Sequence, residues 1–546
     1  MNDSSIAQVP DQGPTRRTVL QDAAVIPPAR GKVGAMASGF RASARRTAVL
    51  PALVLALVAA RTGLTVPAAA QDDAGTSASA STTAVAAAAT FANPLNANGA
   101  DPDIEYHDGY YYMMSTPYRG PLTMRKAPTI AALKAASPVP VFSDFPASRC
   151  CMVWAPELHR LSGPNGVRWY IYYSAGSGTL QSQRVHVLES SGADPLGPYT
   201  YKGMIFGSND WWGIDGSVVT IDGRLYFTWS GVPTPLWADS DPSIYIVALA
   251  NPWTVTGPRT RISAPTLSWE VQGTPMNEGP VAIQHDGRTF IVYSASACQG
   301  PDYKLGQLTY TGGDVLSASS WVKKSTPIFQ RNDAAGVYGP GHNGFFKSPD
   351  GTEDWIVYHA NSSATQGCGG TRTPRIQKVT WNPDGSPNLG APLATSTAIT
   401  VPSGEPVVDY HRITNVATGK VIDVQAPNTA DRARIGQYAW NGRPWQQWRF
   451  KDLGNGHVQL ESQNSGKCLD VLDFSTADGA SVIQWPCHGG TNQQFQWVSV
   501  GSSYQLRARN SGKCLTVAGG STADAALLEQ RTCGTGSAFL WSRTVS

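Results

Sequence analysis

At 546 residues the chain is longer than one hydrophobic core supports, and two or three domains are expected. Charged residues make up only 15%, against a usual share of about 25%, while 55 Gly, 39 Pro and 17 Trp mark turn-rich β structure with aromatic surfaces suited to neutral ligands such as sugars. A net charge of +3 removes the general reason to expect nucleic acid or an anionic membrane as partner, and neither is expected.

Residues 1–70 read as a targeting leader: Arg45 and Arg46, an apolar run over 47–60 closed by Arg61, then Ala68, Ala69 and Ala70 before Gln71 as a cleavage site. The apolar run is too short to span a bilayer. A second pair, Arg16 and Arg17, leaves twin-arginine export open beside the general route, and Met36 is open as the true start. Either way a secreted, extracellular, monomeric protein is expected, with no membrane in the mature form. Residues 71–90 form an Ala/Ser/Thr-rich tract without periodicity, read as a flexible linker.

Between 91 and 400 one pattern recurs five times: an inner strand, a turn, and an aromatic-rich second strand ending at Ser115, Ser174, Ser230, Ser294 and His359. Asp-Gly turns at 108–109, 222–223, 286–287 and 350–351 mark four of the hairpins, and Pro164, Asn165 and Gly166 the other. A repeat of this size built from short strands predicts a five-bladed β-propeller. Counting back from each end residue lands on Asp101, Glu157, Asp215, Glu278 and His342. Inner strands line a propeller's central channel, so these five are expected to converge near its axis.

Residues 401–408 read as a second linker. From 409 to 546 a new period near 46 begins, with Gly419 and Lys420, Gly466 and Lys467, and Gly512 and Lys513 opening equivalent positions. Each unit closes on a Gln-x-aromatic or its remnant: Gln446 with Trp448, Gln493 with Phe495, Ser537 with Phe539. Three such units predict a β-trefoil, so the fold class is all-β, a five-bladed β-propeller followed by a β-trefoil.

The C-terminal region resembles ricin-type lectin repeats, used as carbohydrate-binding modules of family 13. That resemblance implies sugar sites at Asp423, Tyr438, Asn441 and Gln446 in the first repeat and at Asp470, Trp485, His488, Asn492 and Gln493 in the second. In the third, Thr516, Arg531 and Ser537 replace the gripping residues, and a structural remnant is expected. Eight cysteines fit an oxidising compartment. Cys468 and Cys487, like Cys514 and Cys533, are 19 apart, the spacing of Val421 and Trp440 in the first repeat, and two disulfides are expected there. Cys150, Cys151, Cys298 and Cys368 allow three full pairings; Cys298 with Cys368 is favoured because each follows an aromatic strand of adjacent blades, leaving Cys150 and Cys151 vicinally bonded or free.

Glycoside hydrolysis with inversion needs one carboxylic acid to protonate the leaving oxygen and one carboxylate to activate water. The segments 98–103, 153–157, 213–217 and 277–280 resemble the blade-start motifs of glycoside hydrolase family 43, inverting enzymes acting on arabinans and xylans. The resemblance spans about 91–400 and implies Asp101 as general base, Asp215 as the carboxylate that tunes and orients, and Glu278 as general acid. Asp103, two residues from Asp101, is the alternative base. Trp154, Glu157, Trp212 and Arg375 are candidate substrate contacts, with Trp211 and the 368–372 stretch as further wall candidates. The chemistry requires no cofactor; the resemblance implies a structural calcium or similar ion at His342. The reading is an exo-acting α-L-arabinofuranosidase whose trefoil binds plant cell-wall arabinan, arabinoxylan or xylan. β-Xylosidase and endo-arabinanase remain open within the family, and a non-catalytic sugar-binding protein outside it.

Overall fold

The structure, a computed structural model, describes residues 89–207, 211–234, 241–425, 427–454 and 456–546; the leader and nearly all of the 71–90 linker lie outside the described residues. Five antiparallel sheets follow one another along the chain. Their inner strands are Asp103–His107, Cys151–Gly163, Gly213–Ile221, Asn277–His285 and Tyr338–Lys347, each paired with the aromatic strand that follows it. At the Asp-Gly turns 108–109, 222–223 and 286–287 both residues have positive φ, the mirror-image turn whose twist matches the strands it joins.

Strands buried on both faces let neighbouring blades share a core. Ile104, Tyr111 and Met113 of the first blade pack on Phe346, Trp355 and Val357 of the fifth, and Tyr170, Val185 and Val187 of the second pack on Val218, Phe227 and Trp229 of the third. Thr90–Phe91 pairs antiparallel with Ile399–Thr400, so the start and end of the propeller clasp each other at the seam between the fifth and first blades.

The second linker is pinned to the propeller. Ser403 N donates to Glu353 Oε2 at 3.0 Å, and Glu405 Oε2 accepts from Ile130 N at 3.0 Å, at the start of the helix Ile130–Ala135. Beyond it, the trefoil encloses one core to which all three repeats contribute, with Ile422, Leu469 and Leu515 buried beside Trp448, Phe495 and Trp541. The third repeat is offset by two residues from the sequence reading. Its 3-10 turn is Ser537–Phe539, where the other repeats have Pro444–Gln446 and Thr491–Gln493, so Phe539 stands in the glutamine's place. Trp541 is the core aromatic, its Nε1 donating to Leu515 O as Trp448 Nε1 does to Ile422 O.

The trefoil also docks on the first blade. Tyr110 donates to Glu461 Oε1, Arg449 Nη1 lies 3.3 Å from Glu461 Oε2 and donates to Tyr110 Oη at 3.2 Å, and Lys126 Nζ sits 4.2 Å above the Tyr110 ring. Ser137 N donates to Asn464 O at 2.7 Å beside them. All eight cysteines are bonded, as Cys468–Cys487, Cys514–Cys533, Cys298–Cys368 across the fourth and fifth blades, and the vicinal pair Cys150–Cys151.

Candidate active site

The inner strands do not enter the channel as regular strands. Asp101, Ala155, Asp215, Gly279 and His342 all have φ between 43° and 57°, and the ladder slips beside the last four. Such a left-handed residue is costly unless its surroundings hold it, on the order of 1–3 kcal/mol for a non-glycine. What holds it is the preceding blade. Ala155 N donates to Thr116 Oγ1 at 2.7 Å, Asp215 N to Ser174 Oγ at 3.0 Å, His342 N to Ser294 Oγ at 2.8 Å and, closing the ring, Asp101 N to His359 Nδ1 at 3.2 Å. At the fourth blade Ser230 Oγ donates instead to Asn277 O at 2.8 Å. The small polar residues that end the aromatic strands are therefore blade-to-blade latches, with Thr116 serving in place of Ser115.

This places the acids more finely than their spacing does. Asp101, Asp215 and His342 are themselves the left-handed residues, whereas Glu278 precedes one and Glu157 follows one by two positions. Asp101 is gripped on both oxygens: Thr116 Oγ1 donates to Oδ2 at 2.6 Å and Arg372 Nη1 to Oδ1 at 2.9 Å. Burial alone would push its carboxyl up, but Arg372, His342 and His359 together hold it well below the usual carboxylate range. His359, pushed down to about 3 by burial and by Arg372, is neutral. Asp215 is pushed up to about 8 by burial, with the charges of Glu278 and Asp101 adding to it against the opposing pull of His342. Its Oδ2 accepts from Gly279 N at 3.2 Å, which ties it to the chain beside Glu278. Glu278 is also raised, by burial first and with Asp101 among the charges, while a hydrogen bond from Tyr303 works the other way. Asn277 anchors it from below, its side chain held between Ser263 Oγ at 2.7 Å and Glu270 Oε1 at 3.1 Å.

The remaining candidates divide. Glu157 sits beside this group, close enough for its charge to act on Asp215 and His342, while its Oε2 lies 3.1 Å from His159 Nε2 and it forms a second acidic pair with Asp103. Asp103 accepts from Leu158 N at 2.8 Å and is pushed up to about 7 by burial and by the charge of Glu157, unlike the ionised Asp101. Trp212 is 2% exposed and donates Nε1 to Leu180 O, so it backs the wall; Trp154, packed on it and only partly buried, offers the accessible face. Arg375 requires correction. It is fully buried, with Nε on Thr373 Oγ1 and Nη2 on Ser362 Oγ, and it reaches none of the three carboxylates. Arg372 occupies the place expected of it, and also donates to Tyr118 Oη at 3.1 Å.

His342 turns Nδ1 towards Asp101 Oδ1 at 3.5 Å and Asp215 Oδ2 at 4.0 Å. Burial opposes a charge on it, but these carboxylates raise its pKa above the ordinary value. Its donor set fits an ion only as a single imidazole nitrogen with water completing the shell. Among the described residues the three-ligand grouping is elsewhere, Glu461 with Cys468 and Cys487, whose sulfurs are consumed in a disulfide.

In the trefoil, Asp423 Oδ2 accepts from Gln446 Nε2 at 2.8 Å beside the exposed Tyr438, and Asn441 N donates to Gln446 Oε1 at 2.8 Å. Asp470 Oδ2 accepts from both Asn492 Nδ2 and Gln493 Nε2 at 2.9 Å, with His488 Nε2 at 3.6 Å and Trp485 on the neighbouring strand. Thr516 instead spends its hydroxyl on Ala538 O at 3.0 Å.

A five-bladed propeller that gathers one carboxyl held low in pKa and two pushed up, joined to a trefoil, is the architecture of a sugar-processing protein. The profile for Glycosyl hydrolases family 43 matches residues 91–387, and that for the Ricin-type beta-trefoil lectin domain-like group matches 400–485 and 491–546. The chain belongs to glycosyl hydrolase family 43. It is 41% identical over 315 residues to an extracellular exo-alpha-(1->5)-L-arabinofuranosidase of Streptomyces avermitilis and 38% identical over 316 residues to alpha-L-arabinofuranosidase 43 of Humicola insolens. Each alignment covers 56% of this chain and 64% of the relative, so the chain spans somewhat under two thirds of their length. Among solved structures, an alpha-L-arabinofuranosidase from Lactobacillus brevis aligns with TM-score 0.52 and 32% identity over 56% of this chain and 98% of its own.

Proposed function

We propose that the protein is a secreted, inverting, exo-acting α-L-arabinofuranosidase on arabinan or arabinoxylan, held to polysaccharide by its trefoil. The observation that carries the chemistry is the meeting of Asp101, Asp215 and Glu278 around His342, with the surroundings holding the Asp101 pKa down and pushing the Glu278 pKa up. Asp101, ionised, takes a proton from water as that water attacks the anomeric carbon; Glu278, its pKa raised by burial, gives its proton to the departing oxygen. Asp215 orients the acid's backbone and holds negative charge out of the site while protonated. The two working groups come from the first and fourth blades, an arrangement that suits the wider carboxyl separation of inversion, about 6.5–9.5 Å. A calcium or similar ion on His342 would supply positive charge beside these carboxyls. Arabinose as the released sugar rests on the names of the relatives.

The test is proton NMR of the first product from linear arabinan. Monomeric arabinose appearing first in the β configuration supports the reading. An α-configured first product overturns inversion, early oligosaccharides overturn exo action, and xylose released faster than arabinose from matched aryl glycosides overturns the sugar assignment.

A further inference from the structure

Tyr303 belongs to no group named so far, yet it touches the acid. It lies just before the strand Lys304–Tyr310, is 1% exposed, and donates its hydroxyl to Glu278 Oε1 at 2.7 Å. Ser294, whose Oγ takes the His342 amide, lies beside the same phenol. The ring is equally constrained. It stacks on His359 with centroids 5.6 Å apart and planes 3° from parallel, and a Cβ on Gly341 would lie 2.3 Å from its Cε1, so the strand beside it leaves room for this ring only because that residue is glycine. His359 in turn holds the amide of Asp101. One buried stack therefore runs from the carboxyl on the fourth blade to the backbone of the carboxyl on the first.

We propose that Tyr303 is a positioning residue for the acid: by occupying Oε1 it leaves Oε2 as the atom that carries the proton to the departing oxygen, and through its stack on His359 it fixes that atom relative to Asp101. This rests on the reading of Glu278 as general acid. In the step itself the proton leaves Glu278 Oε2 for the glycosidic oxygen as the bond from that oxygen to the anomeric carbon breaks. Water supplies the new bond to carbon and its proton passes to Asp101, while Tyr303 keeps its own proton throughout. When Glu278 becomes a carboxylate, the phenol already pointing at Oε1 stabilises the charge that has formed. A hydrogen bond to a charged partner is stronger than one to a neutral partner, so Tyr303 helps more after transfer than before it.

The experiment is Tyr303→Phe in the full chain, assayed on an arabinan disaccharide and on nitrophenyl arabinofuranoside, with Glu278→Gln beside it. The expected result is a loss in kcat of roughly 10- to 100-fold on the disaccharide and less than about threefold on the aryl glycoside, whose leaving group needs little protonation, with KM nearly unchanged. Gly341→Ala, which presses on the ring without removing the hydroxyl, is expected to follow the same pattern and serves if the first variant does not fold. Equal losses on the two substrates, or no loss on the disaccharide, overturn the proposal. If Glu278→Gln shows the leaving-group dependence and the tyrosine variants do not, this inference alone fails. If Glu278→Gln shows none, the acid assignment fails and the inference falls with it.

Discussion

The propeller and the trefoil both set carboxyl groups at their candidate sites, but they assemble them in opposite ways. A trefoil site is made within one repeat: Asp470 is oriented by Asn492 and Gln493 from the turn that follows, and Asp423 by Gln446. The channel site draws Asp101, Asp215, Glu278 and His342 from four blades, and several of them are held by a latch from the preceding blade. Binding a neutral ligand needs only an aimed hydrogen-bond acceptor, which a local turn supplies. Acid-base catalysis needs two carboxyl groups with pKa values pushed apart, and a site that brings different environments from distant chain segments can hold Asp101 down while raising Glu278.

The difference is broken most severely at the base. Asp101→Asn is expected to lower kcat by about 10³-fold or more on every substrate, aryl glycosides included, because each turnover needs activated water. The pH profile carries the sign. Asp101, held below its usual range, stays ionised down to low pH and sets the acid limb. Glu278 and Asp215, raised, set the alkaline limb, where activity falls as their protons leave. Steady-state kinetics across pH check both limbs; an alkaline limb unmoved in both Glu278→Gln and Asp215→Asn contradicts the assignment.

The next effect concerns the contact between the two regions. Removing the buried Glu461 carboxylate in Glu461→Ala leaves Tyr110 and Arg449 without their partner, and a loss of about 1–3 kcal/mol is expected, read as a fall in the denaturant midpoint. An unchanged midpoint would show that the trefoil is merely tethered. Without the trefoil, the first blade would expose Tyr110 and Lys126, now 5% and 9% accessible.

Smaller still, Asp423→Ala with Asp470→Ala is expected to weaken binding to insoluble arabinan by roughly tenfold, the size of one lost charge-assisted hydrogen bond, with kcat on nitrophenyl arabinofuranoside unchanged. Thr516→Ala, in the remnant repeat, is expected to leave both properties as they are. Pull-down isotherms distinguish the two, and a drop in the Thr516 variant would restore a sugar role to the third repeat.

The sequence by itself determined the five blades, the trefoil, the spacing of the trefoil disulfides and the candidate positions in the channel, because each is written in a local signal: a turn dipeptide, an aromatic strand, a repeat length. Tertiary structure alone decided how those side chains meet. Strand alternation assigns faces correctly only while the strand is regular, and here left-handed residues at Asp101, Ala155, Asp215 and His342 reset the alternation at the one place that matters. That is why Glu157, two residues past the left-handed Ala155, pairs with His159 and Asp103 while its charge still acts on Asp215 and His342. Arg372 and Arg375 are equally basic and three residues apart, and only the seam between the fifth and first blades selects the former. The hydroxyls of Thr116 and Ser174 and the ring of Tyr303 read as ordinary strand ends and core. Their role comes from the neighbouring blade, a partner that lies next to them in space and is remote along the chain.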